Sequence, residues 1–223
     1  MLYDETAVRA NIRNRDGKRV FYLRSEDTLT PLARDFLRQE HIEILPAQEA
    51  KPERYRLLSG GYAEEKPEHM THLNGDVLVS KTHPQIRFRG MVDFLEAELL
   101  LCGPETGEIL NLARRLIRCD VMDEPVGEFT LYGLTAHQQR RHSHFPQDYY
   151  GIAHFMPDYA DGEQVLRLNR CRSICRQAEL AAVDAFSDRD GNLVRTDIVQ
   201  ALNRMSSMLY ILMIRRKRAD EGH

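Results

Sequence analysis

Leu168-Asn169-Arg170-Cys171-Arg172-Ser173-Ile174-Cys175-Arg176-Gln177-Ala178-Glu179, and after it Thr196-Asp197-Ile198-Val199-Gln200-Ala201-Leu202-Asn203-Arg204-Met205-Ser206-Ser207-Met208-Leu209-Tyr210-Ile211-Leu212, read as two amphipathic helices. On a helix, residues three and four apart share a face. Leu168, Cys171, Cys175, Ala178 and Ala182 therefore form one apolar stripe, with Arg172, Arg176 and Glu179 standing beside it. In the second segment Ile198, Leu202, Met205, Leu209 and Leu212 form a stripe, and Asn203, Ser206, Ser207 and Tyr210 form another. Both segments have the pattern of helices packed in a bundle, with polar residues set where the apolar face ends.

Those polar residues have an ordinary reading. Arg172 and Arg176 can pair with Glu179 on a solvated surface, an arrangement worth a few tenths of a kcal/mol per pair, roughly. Spacing alone favours this ordinary reading, with Ser206 and Ser207 as small helix contacts.

The chain's 223 residues suffice for one ordinary domain with a small additional one, and its 42% hydrophobic and 29% charged residues are those of a soluble globular protein. A net charge of -3 argues against a general nucleic-acid binder. No apolar run is long enough to span a bilayer, and Met1 to Arg15 lacks the pattern of a signal peptide, so a cytoplasmic location is expected. Cys102, Cys119, Cys171 and Cys175 all lie in helical patterns without the CxxC spacing of zinc or redox sites. They read as reduced core thiols, and no metal site is assigned.

Residues 1–54 read as a small α/β module. Arg19 to Leu23 has strand composition, Pro31 opens a short helix through Gln39, Ile42 to Leu45 is a second strand, and Pro46 to Arg54 is a polar linker. Residues 55–84 are punctuated by Gly60-Gly61, Lys66-Pro67 and His83-Pro84 and read as a linker and loop. Within them Thr71, Asn74, Gly75, Lys81 and Thr82 combine small, hydroxyl and cationic residues suited to phosphate, without Walker spacing. Residues 85–218 read as a helical domain. Its first helix, Gln85 to Leu101, puts Phe88, Val92, Leu95 and Leu99 inward and Arg89, Asp93 and Glu96 alongside; the next, Gly107 to Val121, buries Ile109, Leu112, Leu116 and Cys119. Asp93 on spacing alone can pair with Arg89, and Arg118 with Asp120. The stretch from Leu134 to Asp161 is dense in histidine and aromatic residues but holds no clean metal-ligand spacing, and most of its histidines read as solvent-facing or helix-end residues.

CRSICRQAE at residues 171–179 and ALNRMSSMLY at 201–210 resemble the closing helices of the PduO-class ATP:corrinoid adenosyltransferases, with their RxxxRRAE and LNRLSD motifs. THLNGDVLVSKTHPQIRFRGMVD at 71–93, LIRCDVMDEPVG at 116–127 and, more weakly, LTPLARDFLRQEHIEI at 29–44 are similar to the ethanolamine-utilisation EutT branch of that class. Gln177 stands where the class often has a second arginine, and Ser207 replaces its aspartate. The CCxxC cluster of some EutT proteins is absent, since no cysteine precedes Cys102.

This resemblance implies a mainly α fold, a five-helix bundle with the small N-terminal α/β module. It implies transfer of the 5'-deoxyadenosyl group of ATP to Co(I) of a corrinoid such as cobalamin, with Mg2+ and release of triphosphate. Thr71, Asn74, Lys81, Thr82, Arg172, Arg176, Glu179 and Asn203 are the implied ATP-binding residues. Arg172 and Arg176 serve catalysis, with Asp93 bracing Arg172 across a subunit boundary. His154, Phe155 and Tyr210 are the implied corrinoid-facing residues; the class's F-x-x-P position falls on His154, with Phe155 its neighbour, and the choice between them stays open. A homo-oligomer, trimer or dimer, a reductase partner and residence in a bacterial microcompartment are further implications. A non-catalytic corrinoid carrier and a structural, microcompartment-associated bundle are the rival classes, and the retained cationic residues favour the enzyme.

Overall fold

The structure is a computed structural model describing residues 2–15, 17–46 and 54–221, in two compact units, 1–81 and 82–223. Chemistry at each helix start explains most of the elements in both.

In the first unit the chain runs β1 (Leu2–Tyr3), α1 (Glu5–Asn11), β2 (Arg13–Arg15), β3 (Lys18–Leu23), β4 (Thr28–Leu29), α2 (Pro31–Gln39) and β5 (Glu43–Pro46). Thr30 caps α2, its hydroxyl accepting from the Ala33 N–H at 3.2 Å, and Pro31 occupies the first turn, where a missing N–H costs nothing. Ala33, Phe36 and Leu37 then face inward against Val8, Phe21, Leu29 and Ile42. β3 pairs with β5 in parallel and with β2 antiparallel, while β1 and β4 form a separate short pair. The expected strand, helix, strand core is present, and α1 with three short strands adds to it. The expected linker falls almost wholly on residues 47–53, which lie outside the described residues.

Residues 55–81 are not a linker and loop but a four-stranded sheet, ordered β7-β6-β9-β8 from β6 (Tyr55–Leu57), β7 (Tyr62–Ala63), β8 (Met70–Asn74) and β9 (Val77–Ser80). Val77, Leu78 and Val79 are all buried, so this segment has an apolar core of its own. Gly75, at φ +53°, turns β8 into β9 in a conformation that favours glycine. The glycines and prolines that suggested a loop mark the turns between these strands.

The second unit comprises α3 (Pro84–Cys102), α4 (Gly107–Met122), a two-strand hairpin of β10 (Thr130–Leu131) and β11 (Leu134–Thr135), α5 (Ala136–His144), α6 (Pro146–Tyr150), α7 (Gly162–Phe186) and α8 (Thr196–Glu221). α3, α4, α5, α7 and α8 pack together as the expected bundle. Every residue predicted to face inward from the first two bundle helices is buried, as are the apolar stripes of α7 and α8. His83 caps α3 by accepting the Gln85 N–H at 3.3 Å through Nδ1. Burial and the Arg89 charge both lower its pKa and so favour the neutral acceptor form. α5 is a helix that histidine density concealed; a capping box between Thr135 and Gln138 starts it, and Gln139 and Ser143 are its buried side.

Arg87–Asp184 at 3.8 Å and Arg170–Glu98 at 2.7 Å tie α3 and α7 antiparallel along their length. Asp120 is buried between α4 and α3, accepting from Arg89 Nε at 2.5 Å and Gln85 Nε2 at 3.0 Å. Arg89 thus pairs with Asp120 rather than with Asp93, and Arg118 pairs with Glu124. Among the described residues, no helix is long and apolar enough to cross a membrane.

Candidate functional site

The seam between α7 and α8 gathers the polar residues that both helices carry beside their apolar stripes. Asn203 Nδ2 donates to Glu179 Oε1 at 2.9 Å, linking the two helices. One and two turns back along α7 lie Arg176, exposed, and Arg172, half-buried. The Arg172 guanidinium donates to Asn169 Oδ1 at 3.4 Å and lies 5.5 Å from the Tyr210 ring centroid, within cation–π range. Burial, and then the Arg176 charge, lower the Arg172 pKa, the signature of a cation held in a partly dry, already positive environment.

Tyr210 also organises the segment between α6 and α7. Its hydroxyl accepts the Phe155 N–H at 2.9 Å and donates to the Phe155 carbonyl at 3.3 Å. The His154 ring stacks on it at 4.7 Å, and the Phe155 ring lies at 5.7 Å. Phe155 is held from its other side by the Lys217 ammonium, 4.8 Å from the ring, and Lys217 is itself ion-paired to Asp161. Phe155 is therefore half-buried and fixed, whereas the His154 residue is exposed. Arg172, Tyr210, His154 and Phe155 come together as one cluster, with Arg176, Glu179 and Asn203 continuing it along the seam.

Asp93 is exposed on α3 and has no hydrogen-bond or ion-pair partner among the described residues. Beside it Phe94 is 43% exposed, and on α7 Leu180 and Val183 are also exposed.

In the first unit, Thr71 lies on β8 opposite Val79, and Lys81 follows β9, its N–H donating to the His69 carbonyl at 2.8 Å. Asn74 sits at the turn end of the same hairpin, three residues or about 10 Å from Thr71 at the usual strand rise. The hairpin thus brings Thr71 toward Lys81 but not Asn74, because backbone groups expected to be free in a loop are engaged in strand pairing. Thr82 is exposed where the second unit begins.

Arg204 is the residue that pattern reading passed over. It is 8% exposed, and its Nε and Nη1 have no hydrogen-bond partner. Burial lowers its pKa, Arg140 lowers it further, and Glu179 opposes them. On the facing helix α5, Gln139 donates to the Leu134 carbonyl at 2.7 Å while its buried Oε1 also lacks a partner. The signal was in the sequence: Arg204 falls on the line Ala201, Arg204, Met208, Ile211, which is otherwise apolar.

A cationic pair, a carboxylate–amide link and an aromatic cluster on one helical seam suit an anionic ligand lying next to a flat apolar one. The family model for cobalamin adenosyltransferase matches residues 61–216, a span that begins in the β6–β9 sheet and takes in the whole seam. The chain belongs to the cobalamin adenosyltransferase family. It is similar to the corrinoid adenosyltransferase EutT of Escherichia coli strain K12 and that of Salmonella typhimurium, each 29% identical over 241 aligned positions. The alignment with each spans 94% of this chain and 90% of the relative. The matched span contains the whole stretch from Arg172 to Tyr210.

Proposed function

We propose that this protein transfers the 5'-deoxyadenosyl group of ATP to the Co(I) centre of a corrinoid, releasing triphosphate. Co(I) is a strong nucleophile; it attacks the 5' carbon, the new Co–C bond takes its electron pair, and the C5'–O bond breaks with its electrons leaving on triphosphate. Such a displacement needs alignment and charge on the leaving group more than proton transfer. The observation that carries this reading is that Arg172 and the His154–Phe155 segment meet on the same side chain, Tyr210.

In this reading Arg172 and Arg176 take the leaving triphosphate, with Lys81 and Thr82 from the chain just before α3. Thr71 completes the nucleotide contacts, and Glu179 with Asn203 orients the nucleotide; Asn74, at the turn end of the β8–β9 hairpin, is not among them. Arg204 adds fixed positive charge beneath Glu179, and its unsatisfied donors await oxygen acceptors. His154, Phe155 and Tyr210 form the wall against the corrin, and an apolar wall excludes an axial ligand and eases reduction to Co(I). Mg2+ enters on the triphosphate itself, since this ion is usually bound through substrate phosphates with few protein ligands.

The unpaired Asp93, with Phe94, Leu180 and Val183 exposed on the same α3–α7 pair, supports a homo-oligomer whose copies complete one another's sites. Asp93 of one copy then braces Arg172 of the next, which supplies the counter-charge a half-buried guanidinium requires. We place the activity in ethanolamine utilisation, on the resemblance to that branch, with a separate reductase supplying electrons and a bacterial microcompartment as its setting. Residues 1–54 are a module appended to this domain, and 85–218 are the adenosyltransferase bundle.

The test is anaerobic turnover with chemically reduced cobalamin, ATP and Mg2+, following loss of Co(I) absorbance. Adenosylcobalamin forms, and Arg172→Ala lowers kcat/KM at least about tenfold, the equivalent of losing about 1.4 kcal/mol of transition-state stabilisation. Cobalamin binding without product would identify a carrier instead.

A further inference from the structure

Tyr210 and Lys217 are seven residues apart on α8, so they share one face of the helix, two turns or roughly 10 Å from each other. The segment between α6 and α7 is fastened to both. At the first point the Tyr210 hydroxyl holds the Phe155 backbone through its N–H and its carbonyl. At the second, Asp161, its side chain only 6% exposed, uses both carboxylate oxygens: Oδ1 accepts from the Lys217 ammonium, and Oδ2 accepts the Asp158 N–H at 2.7 Å. The Phe155 ring lies between the two, 5.7 Å from the Tyr210 ring and 4.8 Å from the Lys217 nitrogen. Met156 and Tyr159, on the arc between them, are 88% and 95% exposed, so their side chains do little to hold it against the bundle.

The two fastenings differ in kind. Tyr210 fixes the Phe155 backbone, which leaves the ring able to turn about its side-chain bonds. The ammonium acts on the ring itself, and a cation is attracted to the face of a ring rather than to its edge, so the contact selects one orientation. A lysine side chain has much rotamer freedom to lose, and the buried Asp161 carboxylate is what keeps this one in place. Lys217 also lies one residue beyond the span that the family model matches.

We infer that Lys217 and Asp161 are a positioning pair that sets the Phe155 ring as the wall against the corrin: Asp161 holds the ammonium, and the ammonium holds the ring. The inference rests on the reading of Phe155 as a corrin-facing residue in the proposed transfer. Loss of the pair lets the ring turn, so corrinoid binding weakens, while the triphosphate clamp of Arg172 and Arg176 is left as it was. The last turns of α8 thereby become part of the corrinoid site.

The test uses the full-length protein and measures Kd for cob(II)alamin by equilibrium dialysis, together with KM for corrinoid and for ATP in anaerobic turnover. In Lys217→Met the cob(II)alamin Kd and the corrinoid KM rise roughly fivefold, the size of one cation–ring contact, and KM for ATP is unchanged. Lys217→Arg keeps a cation for both the carboxylate and the ring and stays close to the wild type. Asp161→Asn can still accept from the Asp158 N–H but no longer pairs with the ammonium, and it raises both corrinoid constants. The double variant binds no more weakly than Lys217→Met, because the pair acts as one unit. Equal rises in both KM values, unchanged corrinoid constants in the two single variants, or Lys217→Arg behaving as Lys217→Met would overturn the inference. If the buried carboxylate left in Lys217→Met unfolds the protein, Asp161→Asn decides alone, since it buries no unpaired charge. Wild-type protein that binds cob(II)alamin without forming product defeats only the transfer reading, because Kd still reports on the wall; wild-type protein that binds no cobalamin defeats both.

Discussion

Replacing Tyr210 with phenylalanine keeps the ring beneath Arg172 and against His154 but deletes the hydroxyl that accepts from the Phe155 N–H at 2.9 Å and donates to its carbonyl at 3.3 Å. A typical intramolecular hydrogen bond contributes about 0.5–1.5 kcal/mol net. The 3.3 Å bond belongs at the low end of that range, so the two together hold the segment with about 1–2 kcal/mol. At about 1.4 kcal/mol per factor of ten, local opening rises roughly 5- to 30-fold. Phe155 is only half-buried, so water recovers part of the loss and the lower figure is expected. The Lys217–Asp161 pair and the Lys217–Phe155 contact remain, so the segment loosens without leaving the bundle.

Hydrogen exchange followed by mass spectrometry measures this directly, because local opening sets exchange at the Phe155 amide. In Tyr210→Phe, peptides covering residues 151–158 exchange about fivefold faster, and those from the core of α3 exchange as in the wild type. In turnover, KM for the corrinoid rises while KM for ATP stays the same. Unchanged exchange at residues 151–158, or equal acceleration there and in α3, would refute the account of Tyr210 as the clamp on this segment.

Asp120, whose side chain is 1% exposed, is the shared acceptor of Arg89 and Gln85. Asp120→Ala leaves the Arg89 guanidinium without its partner and lowers stability by about 3–5 kcal/mol, read from the urea midpoint. At Asp197, burial pushes the carboxyl pKa up, but hydrogen bonds from Arg195 and the Val126 N–H, with the Arg195 charge, bring it below the usual value. A depressed folded pKa means that Asp197 stabilises the fold above the ordinary carboxylate pKa of about 3.9, and that this is lost as pH falls through the lower folded value. Asp197→Asn is accordingly less stable than the wild type at neutral pH, and urea unfolding shows the two converging as the pH drops through that window.

The bundle was legible from periodicity because its helices bury one stripe each: Phe88, Val92, Leu95 and Leu99 on α3, and Leu168, Cys171, Cys175, Ala178 and Ala182 on α7, fall where spacing put them. Residues 55–81 misled because a glycine is equally at home in a loop and in a tight turn between short strands, and only the buried run Val77-Leu78-Val79 distinguishes the two. α5 was hidden for a related reason: its buried positions are Gln139 and Ser143, so it has almost no apolar stripe to read. Within the candidate site, spacing offered Arg172 and Arg176 as partners for Glu179, whereas Asn203, 24 positions away on the next helix, is the residue that holds it. The pairing of Arg89 with Asp120 was hidden in the same way, since those residues are 31 positions apart and local spacing offered nearer partners for each.

Arg204 makes the strongest case for reading charge and periodicity together. A guanidinium on an apolar line is expensive to bury, and removing it would let Ala201, Met208 and Ile211 close over an ordinary hydrophobic contact. Here it is retained with two donors unsatisfied, and the nearby Arg140 makes its burial costlier still. Arg172, half-buried and depressed by Arg176, repeats the pattern on the facing helix. Local carboxylate is scarce by comparison, since Glu179 is already held by Asn203. Such an excess of dry positive charge destabilises the empty chain. In the reaction proposed above, such preorganised cations in a poorly solvated site would act most strongly on the negative charge that develops on the departing triphosphate.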